Sequence, residues 1–242
     1  METLIYQRSL ATKRFCNKHN CTNCPSKSEL FKLLSFSELE TINQSRHEVT
    51  YNAGEIIFKQ GNSADYIVFL HSGLAKMILE GKNGFNLNIG YIKPTNILDV
   101  PGSYIDGRNH FTLVAVEETE VCLINAHVFK EIIRKNPVLS EKILKNVSNK
   151  SANYFEKLLS LTQKNMLGRI AEALLYLNFQ VYSETKNCIS ATRKDLAELT
   201  AMSYDSVGKV LKDLEKNRII NLNGNEISIL NNDKLIDYSE KC

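Results

Sequence analysis

Between His47 and Asn125, glycine and proline cut the chain into short β-prone runs: His47–Tyr51, Ile56–Lys59, Tyr66–Leu70, Leu74–Leu79, Leu87–Ile92, Phe111–Val116 and Val121–Ile124. Gly54, Gly61, Gly73, Gly81, Gly84, Pro94 and Pro101-Gly102 stand between them. Runs this short suit strands better than helices, and a strand buries its apolar face only by pairing. The segment is therefore expected to form an all-β roll, barrel or sandwich. Most of these glycines read as plain turn residues, which adopt backbone angles that other residues resist.

The texture on either side is helical. Upstream, Ser35 or Ser37 is expected to cap a short helix with Leu39 and Ile42 on its buried side. Downstream, Phe129, Ile132 and Ile133 predict a helix that ends near Asn136-Pro137. Val138 to Leu161 then runs without glycine or proline, and Leu144, Val147, Ser151, Tyr154, Leu158 and Leu161 recur at alternating steps of three and four. That is a heptad seam, suited to an identical helix in a homodimer. A second stripe, Leu139, Ile143, Phe155 and Leu159, offers another apolar face. An ordinary buried helix is the alternative reading of the same pattern. Thr162 is expected to cap the next helix, with Met166, Ile170, Ala173, Leu174 and Leu177 on one side.

The stretch Thr192 to Leu211 carries the functional signal. Thr192 and Asp195 make a capping-box start, and Leu196, Ala197 and Leu199 supply the packed side of a first helix. Thr200-Ala201-Met202 is short enough for a tight turn. Ser203 caps a second helix, whose Val207, Val210, Leu211 and Leu214 face inward. Tyr204, Asp205, Lys209 and Lys212 then point outward, where the N-terminal end of such a helix can enter a DNA major groove. Asn187–Ser190, Ile219–Leu222 and Glu226–Leu230 read as strands, the last two joined at Asn223-Gly224 in a hairpin. Helix, helix, helix, hairpin is the winged-helix order.

Composition sets looser bounds. A chain of 242 residues, 43% hydrophobic and 24% charged, is long enough for two compact units that fold without disulfides. Met1 to Phe15 lacks the apolar core of a leader, and no run approaches a membrane span; a cytoplasmic protein with no membrane partner is expected. Six cysteines in such a chain point to free thiols or metal chemistry. The net charge is +3, and from Thr162 to Cys242 eleven Lys and Arg balance eleven Asp and Glu. Charge alone does not announce a nucleic-acid binder here, so the case rests on pattern.

Thr192 to Leu211 is similar to the helix-turn-helix of the CRP/FNR superfamily. Asn52-Ala53-Gly54-Glu55-Ile56-Ile57-Phe58 and Ser72-Gly73 resemble that family's β-roll signature. The resemblance implies an α+β protein: an N-terminal cysteine-bearing segment (1–30), a β-roll sensor domain of the cyclic-nucleotide-binding kind (31–136), a dimerisation helix (137–161) and a C-terminal winged helix-turn-helix (162–242). It implies a sequence-specific transcription regulator, a homodimer on an inverted-repeat operator, which touches RNA polymerase if it activates. Thr192 and Arg193 match positions that hold phosphates in relatives. Tyr204, Asp205 and Lys209 match base-reading positions, and Ser203, Ser206 and Lys212 complete the expected DNA-facing set. Lys209 stands where relatives carry Arg and lacks its bidentate fork. Ala201 stands where a turn glycine is common.

Two kinds of sensor follow from the resemblance. Cyclic-nucleotide-binding members carry a Glu in a Gly-Glu-Leu-Gly turn and an Arg-Ser pair. This chain has no matching Glu in Asn96 to Tyr104, and the pair falls near Asn109-His110 with Arg108 one position off. The iron–sulfur members carry an N-terminal cysteine cluster plus one cysteine on a strand. Here Cys16, Cys21, Cys24 and Cys122 are the matching candidates for a [4Fe–4S] cluster, although Leu30 stands where a third N-terminal cysteine follows the pair in those relatives. A cyclic-nucleotide-dependent regulator, a different metal, a thiol redox switch without metal and a cofactor-free protein stay open. A β-roll metal oxygenase would need two His and a carboxylate on one metal, and His19, His47, His71, His110 and His127 include no His-x-His pair. No enzyme is expected.

Overall fold

The computed structural model describes residues 20–24, 27–94, 102–183 and 188–241. Cys16 and most of the Asn96–Tyr104 stretch lie outside the described residues. The chain divides into two compact units, Met1–Glu80 with Gly90–Lys150, and Gly81–Ile89 with Ser151–Cys242.

The first unit opens on α1 (Phe36–Ser45). Ser35 accepts a hydrogen bond from the Glu38 N–H while the Glu38 carboxylate accepts from the Ser35 N–H, a closed capping box that settles which serine caps. Strands β1 (Arg46–Tyr51), β2 (Ile56–Phe58), β3 (Tyr66–Ser72), β4 (Ala75–Leu79) and β5 (Leu87–Ile92) follow. After a short helical turn, α2 (Gly102–Ile105), come β6 (Thr112–Ala115) and β7 (Thr119–Asn125). They form two sheets, β1-β7-β3 and β2-β6-β4-β5. Gly73 is required where it stands: its φ is +86°, and a Cβ there would lie 2.4 Å from the Glu118 carbonyl oxygen. Between the sheet and the flanking helices Phe69 packs edge-on against Phe31 and Phe129, with centroids at 4.7 and 5.7 Å.

Helix α3 (Ala126–Lys135) is capped by Asn125. It stops before Pro137, which is the first residue of α4 (Pro137–Gln163), a place that suits a residue with no N–H to offer. Along α4, Leu139 is fully buried, while Leu144, Val147 and Leu158 of the heptad seam are exposed and Ser151, Tyr154 and Leu161 half-buried. Phe155 and Leu159 are exposed as well, so the second stripe is buried only at its Leu139 end.

The second unit continues with α5 (Met166–Tyr176). Its cap is Asn165, whose side-chain oxygen accepts from the Leu167 and Gly168 N–H groups. The expected cap, Thr162, lies inside α4, where its hydroxyl donates back to the Leu158 carbonyl at 2.7 Å. A threonine hydroxyl satisfied that way leaves the helix free to run on for another residue. Met166, expected inside, is exposed. Then come β8 (Cys188–Ser190), α6 (Arg193–Thr200), α7 (Tyr204–Lys216), β9 (Ile220–Asn223), β10 (Glu226–Ile229) and α8 (Asn232–Lys241), with the strands ordered β8-β10-β9. The hairpin turns one residue later than expected. Asn223 pairs with Glu226, which leaves Gly224 as the first turn residue with φ +63°. A positive φ at that position belongs to the II′ class of hairpin and favours glycine. Helix α8 had no counterpart in the sequence reading; Leu235 is its buried anchor. The architecture is the α+β arrangement of β-roll, long helix and winged helix-turn-helix.

Candidate functional site

Two groups of candidate residues stand out, one in each unit. In the second, α6 begins with a capping box: Thr192 Oγ1 accepts from the Asp195 N–H at 3.1 Å and Asp195 Oδ2 accepts from the Thr192 N–H at 3.0 Å. Leu196 and Leu199 are buried beneath it. The chain reverses at Ala201, which sits in the left-handed region with φ 51° and ψ 41°. Ser203 then caps α7 by accepting from the Ser206 N–H at 3.1 Å. Val207, Leu211 and Leu214 turn inward, while Tyr204, Asp205, Lys209 and Lys212 are exposed. Thr192 and Ser206 are half-buried, Ser203 exposed. Arg193 is exposed and its guanidinium carbon stands 5.9 Å from the centroid of the Tyr204 ring.

Two residues that local sequence patterns do not flag hold the reversal. The Lys157 ammonium, on α4, donates to the Leu199 carbonyl at 2.7 Å, and the Arg169 guanidinium, on α5, reaches the Thr200 carbonyl at 3.5 Å. Those carbonyls close the C-terminal turn of α6, where helix geometry leaves them without intrahelical donors and where cations are favoured. Burial pushes the Lys157 amine down to about 8, against the attraction of Glu172.

In the first unit, Cys21, Cys24 and Cys122 line one pocket of about 40 Å³ together with His71, Phe31 and Phe69. Each is placed by a separate element. The Cys21 N–H donates to Asn43 Oδ1 of α1 at 2.8 Å. Cys24 Sγ lies 3.7 Å from His71 Nδ1 of β3. Cys122 on β7 is flanked by Glu48 of β1 and Phe69 of β3, its register partners. Arg46 connects them: almost fully buried, it donates to Glu48 at 2.5 Å and to Asn43 Oδ1 at 3.2 Å, and its Nη1 lies 3.8 Å from Cys122 Sγ. Burial pushes the Cys122 thiol up to about 12 and raises that of Cys21, while the Arg46 charge opposes both shifts. Among the described residues no three His, Cys, Asp or Glu side chains are grouped to hold one metal ion. Cys16 lies outside them.

The nucleotide candidates are less developed. Arg108 is exposed and donates to the Gly61 carbonyl at 3.4 Å. Asn109 is buried and donates to the Ser63 carbonyl at 3.2 Å.

A family model described as a cyclic nucleotide-binding domain matches residues 48–136, and one described as a Crp-like helix-turn-helix domain matches residues 168–238. The chain belongs to the CRP/FNR superfamily of transcription regulators. Within the superfamily it is similar to the cAMP-activated global transcriptional regulator CRP of Salmonella typhimurium, at 23% identity over 76% of this chain and 89% of that protein. It is similar also to the transcriptional activator protein Anr of Pseudomonas protegens, at 22% identity over 88% of this chain and 90% of that one. The solved structure of FixK2 from Bradyrhizobium japonicum superposes with a TM-score of 0.70 at 17% identity, covering 80% of this chain and 96% of that one, and shares the fold. This CRP/FNR member is a DNA-binding regulator and not an enzyme. Among the described residues no helix is long and apolar enough to cross a membrane.

Proposed function

We propose that this CRP/FNR regulator acts in the cytoplasm as a homodimer on an inverted-repeat operator and takes a redox or oxygen signal through its cysteine pocket. In this reading residues 1–136 sense, with the 1–30 segment bringing its cysteines to the 31–136 roll. Residues 137–161 pair two copies, and 162–242 read DNA. The exposed Leu144, Val147 and Leu158 support the pairing, since apolar side chains on a long helix are stabilised by a partner. Two copies of α7 related by a dyad would meet successive major grooves about 34 Å apart, with Tyr204, Asp205, Lys209 and Lys212 toward the bases and Thr192 and Ser203 at the backbone. RNA polymerase is the further partner if the protein activates.

One observation carries the sensor reading: thiols from the 1–30 segment and from β7 line the same pocket, beside a buried cation. A [4Fe–4S] cluster takes one thiolate per iron, so its ligands surround a volume and need not converge on one point as those of a single ion do. Cys21, Cys24 and Cys122 would hold three irons and Cys16 the fourth; when bound, the cluster supplies sensitivity to oxidants. Arg46 offsets the negative charge that such a thiolate set brings into an apolar pocket, and Phe31 and Phe69 keep water from it. The test is the visible absorption spectrum, with iron and sulfide content, of the full chain purified without oxygen. Brown protein with near-stoichiometric iron and sulfide is the expected result. Colourless, iron-free protein that still binds its operator would leave the thiol switch or a cofactor-free regulator.

A further inference from the structure

The recognition helix α7 contains no arginine, although a planar guanidinium suits the paired acceptors of guanine better than lysine does. A guanidinium reaches this face from outside the helix. Arg193 is the first residue of α6, and its side chain crosses α7 at Gly208: a Cβ on Gly208 would stand 3.7 Å from Nη1 and 3.9 Å from Cδ and Cζ. From there its head lies over the Tyr204 ring, one turn back toward the start of α7. Glycine inside a helix costs about 1 kcal/mol relative to alanine, and here the Cδ and guanidinium of this arginine lie over the bare Cα face of Gly208.

We propose that Arg193 is a specificity-determining residue, reading a guanine from a platform made by Tyr204. The resemblance to relatives would put it on a phosphate instead. Three features of the placement argue for the base. The guanidinium is held toward the N-terminal end of α7, the end that enters the groove. It lies within cation–π distance of a ring, which limits its freedom before DNA arrives. Asp205 and Lys209, which follow Tyr204 and Gly208 in the chain, are exposed on the same helix. This inference rests on the DNA-reading role of α7 proposed above.

The test uses the full-length protein and an inverted-repeat duplex library, from which the preferred operator is selected. Binding is then measured to every single-base variant at two salt concentrations, for wild type, Arg193→Lys, Arg193→Gln, Tyr204→Phe and Tyr204→Ala. Lysine keeps the charge but not the fork. Arg193→Lys is expected to erase a preference of about tenfold or more at one G·C pair per half-site, with the salt dependence little changed. Tyr204→Phe, which keeps the ring, should preserve that preference and Tyr204→Ala should weaken it. If Arg193→Lys leaves every base preference intact, and Arg193→Gln weakens all sequences alike and flattens the salt dependence, Arg193 holds a phosphate and the proposal is overturned. Wild-type protein that selects no operator would overturn the underlying DNA reading itself.

Discussion

The recognition face and the cysteine pocket place their functional atoms in opposite surroundings. On α7 the side chains that would meet DNA stand in water, and the structure spends its hydrogen bonds on the backbone behind them, through Thr192, Ser203, Lys157 and Arg169. In the pocket Cys21 is buried and Cys24 and Cys122 are half-buried, with Arg46 buried beside them. The difference teaches where each site is vulnerable. A solvated face can change its side chains at little cost to folding, because water already hydrates them. A buried charge set cannot, because removing one member leaves a charge poorly compensated where water has little access.

That contrast can be broken at four places. The largest effect is expected at Cys122→Ser, which should bring the iron and sulfide of anaerobically purified protein down to background. Full iron retention in this variant would remove β7 from the sensor. Next comes Arg46→Met, which removes the Arg46 cation from half-buried Glu48; urea unfolding should show a loss of about 3 kcal/mol. A loss below about 0.5 kcal/mol would class Arg46 with the solvated residues.

Lys157 is intermediate, a half-buried charge placed behind the solvated face. Its folded value of about 8 lies below the value of about 10.4 for lysine in an unfolded chain. Between the two, the unfolded chain binds more protons than the folded one, so stability rises with pH across that window and is lost as pH falls through the lower value. Lys157→Met should abolish the slope, changing the wild-type-minus-variant difference by about 2 kcal/mol from one end to the other, somewhat less than the full shift because the residue is partly exposed. A difference that stays flat in unfolding experiments across this range would mean that the amine remains charged in the fold. The smallest effect on folding belongs to Lys209→Ala, within about 0.5 kcal/mol. Its cost should appear in binding instead, as about 1–3 kcal/mol concentrated at one base pair per half-site. Uniform weakening across operator variants would show that Lys209 does not read a base.

The same contrast explains what was legible in the sequence. The helix-turn-helix is written in contacts three residues apart, Thr192 with Asp195 and Ser203 with Ser206, so both capped helices and the turn at Ala201 could be read directly. The strands of the roll were legible because glycines bound them. The pocket depends on pairs far apart in the chain, Cys24 with His71 and Arg46 with Cys122, and spacing alone could name the cysteines but neither of their partners. Thr162 misled for a related reason: a threonine that can cap a helix can also bond back inside one, and only the next residues decide. Helix α8 carries a local signal of the same kind, since the Asn231 side chain accepts from the Lys234 N–H near its start.

Ala201 has a consequence of a different kind. A non-glycine residue at φ 51° is uncomfortable by roughly 1 kcal/mol or more, and such a conformation persists only where the surroundings over-determine it. Here they do so just ahead of the reversal, through the carbonyls of Leu199 and Thr200, and the donors come from Lys157 and Arg169, well upstream of the motif. The angle between α6 and α7 is therefore not a property of the residues from Thr192 to Leu214 alone. Grafted onto another scaffold, that segment would bring its side chains along and leave its shape behind; the smallest portable reader in this molecule begins inside the long helix.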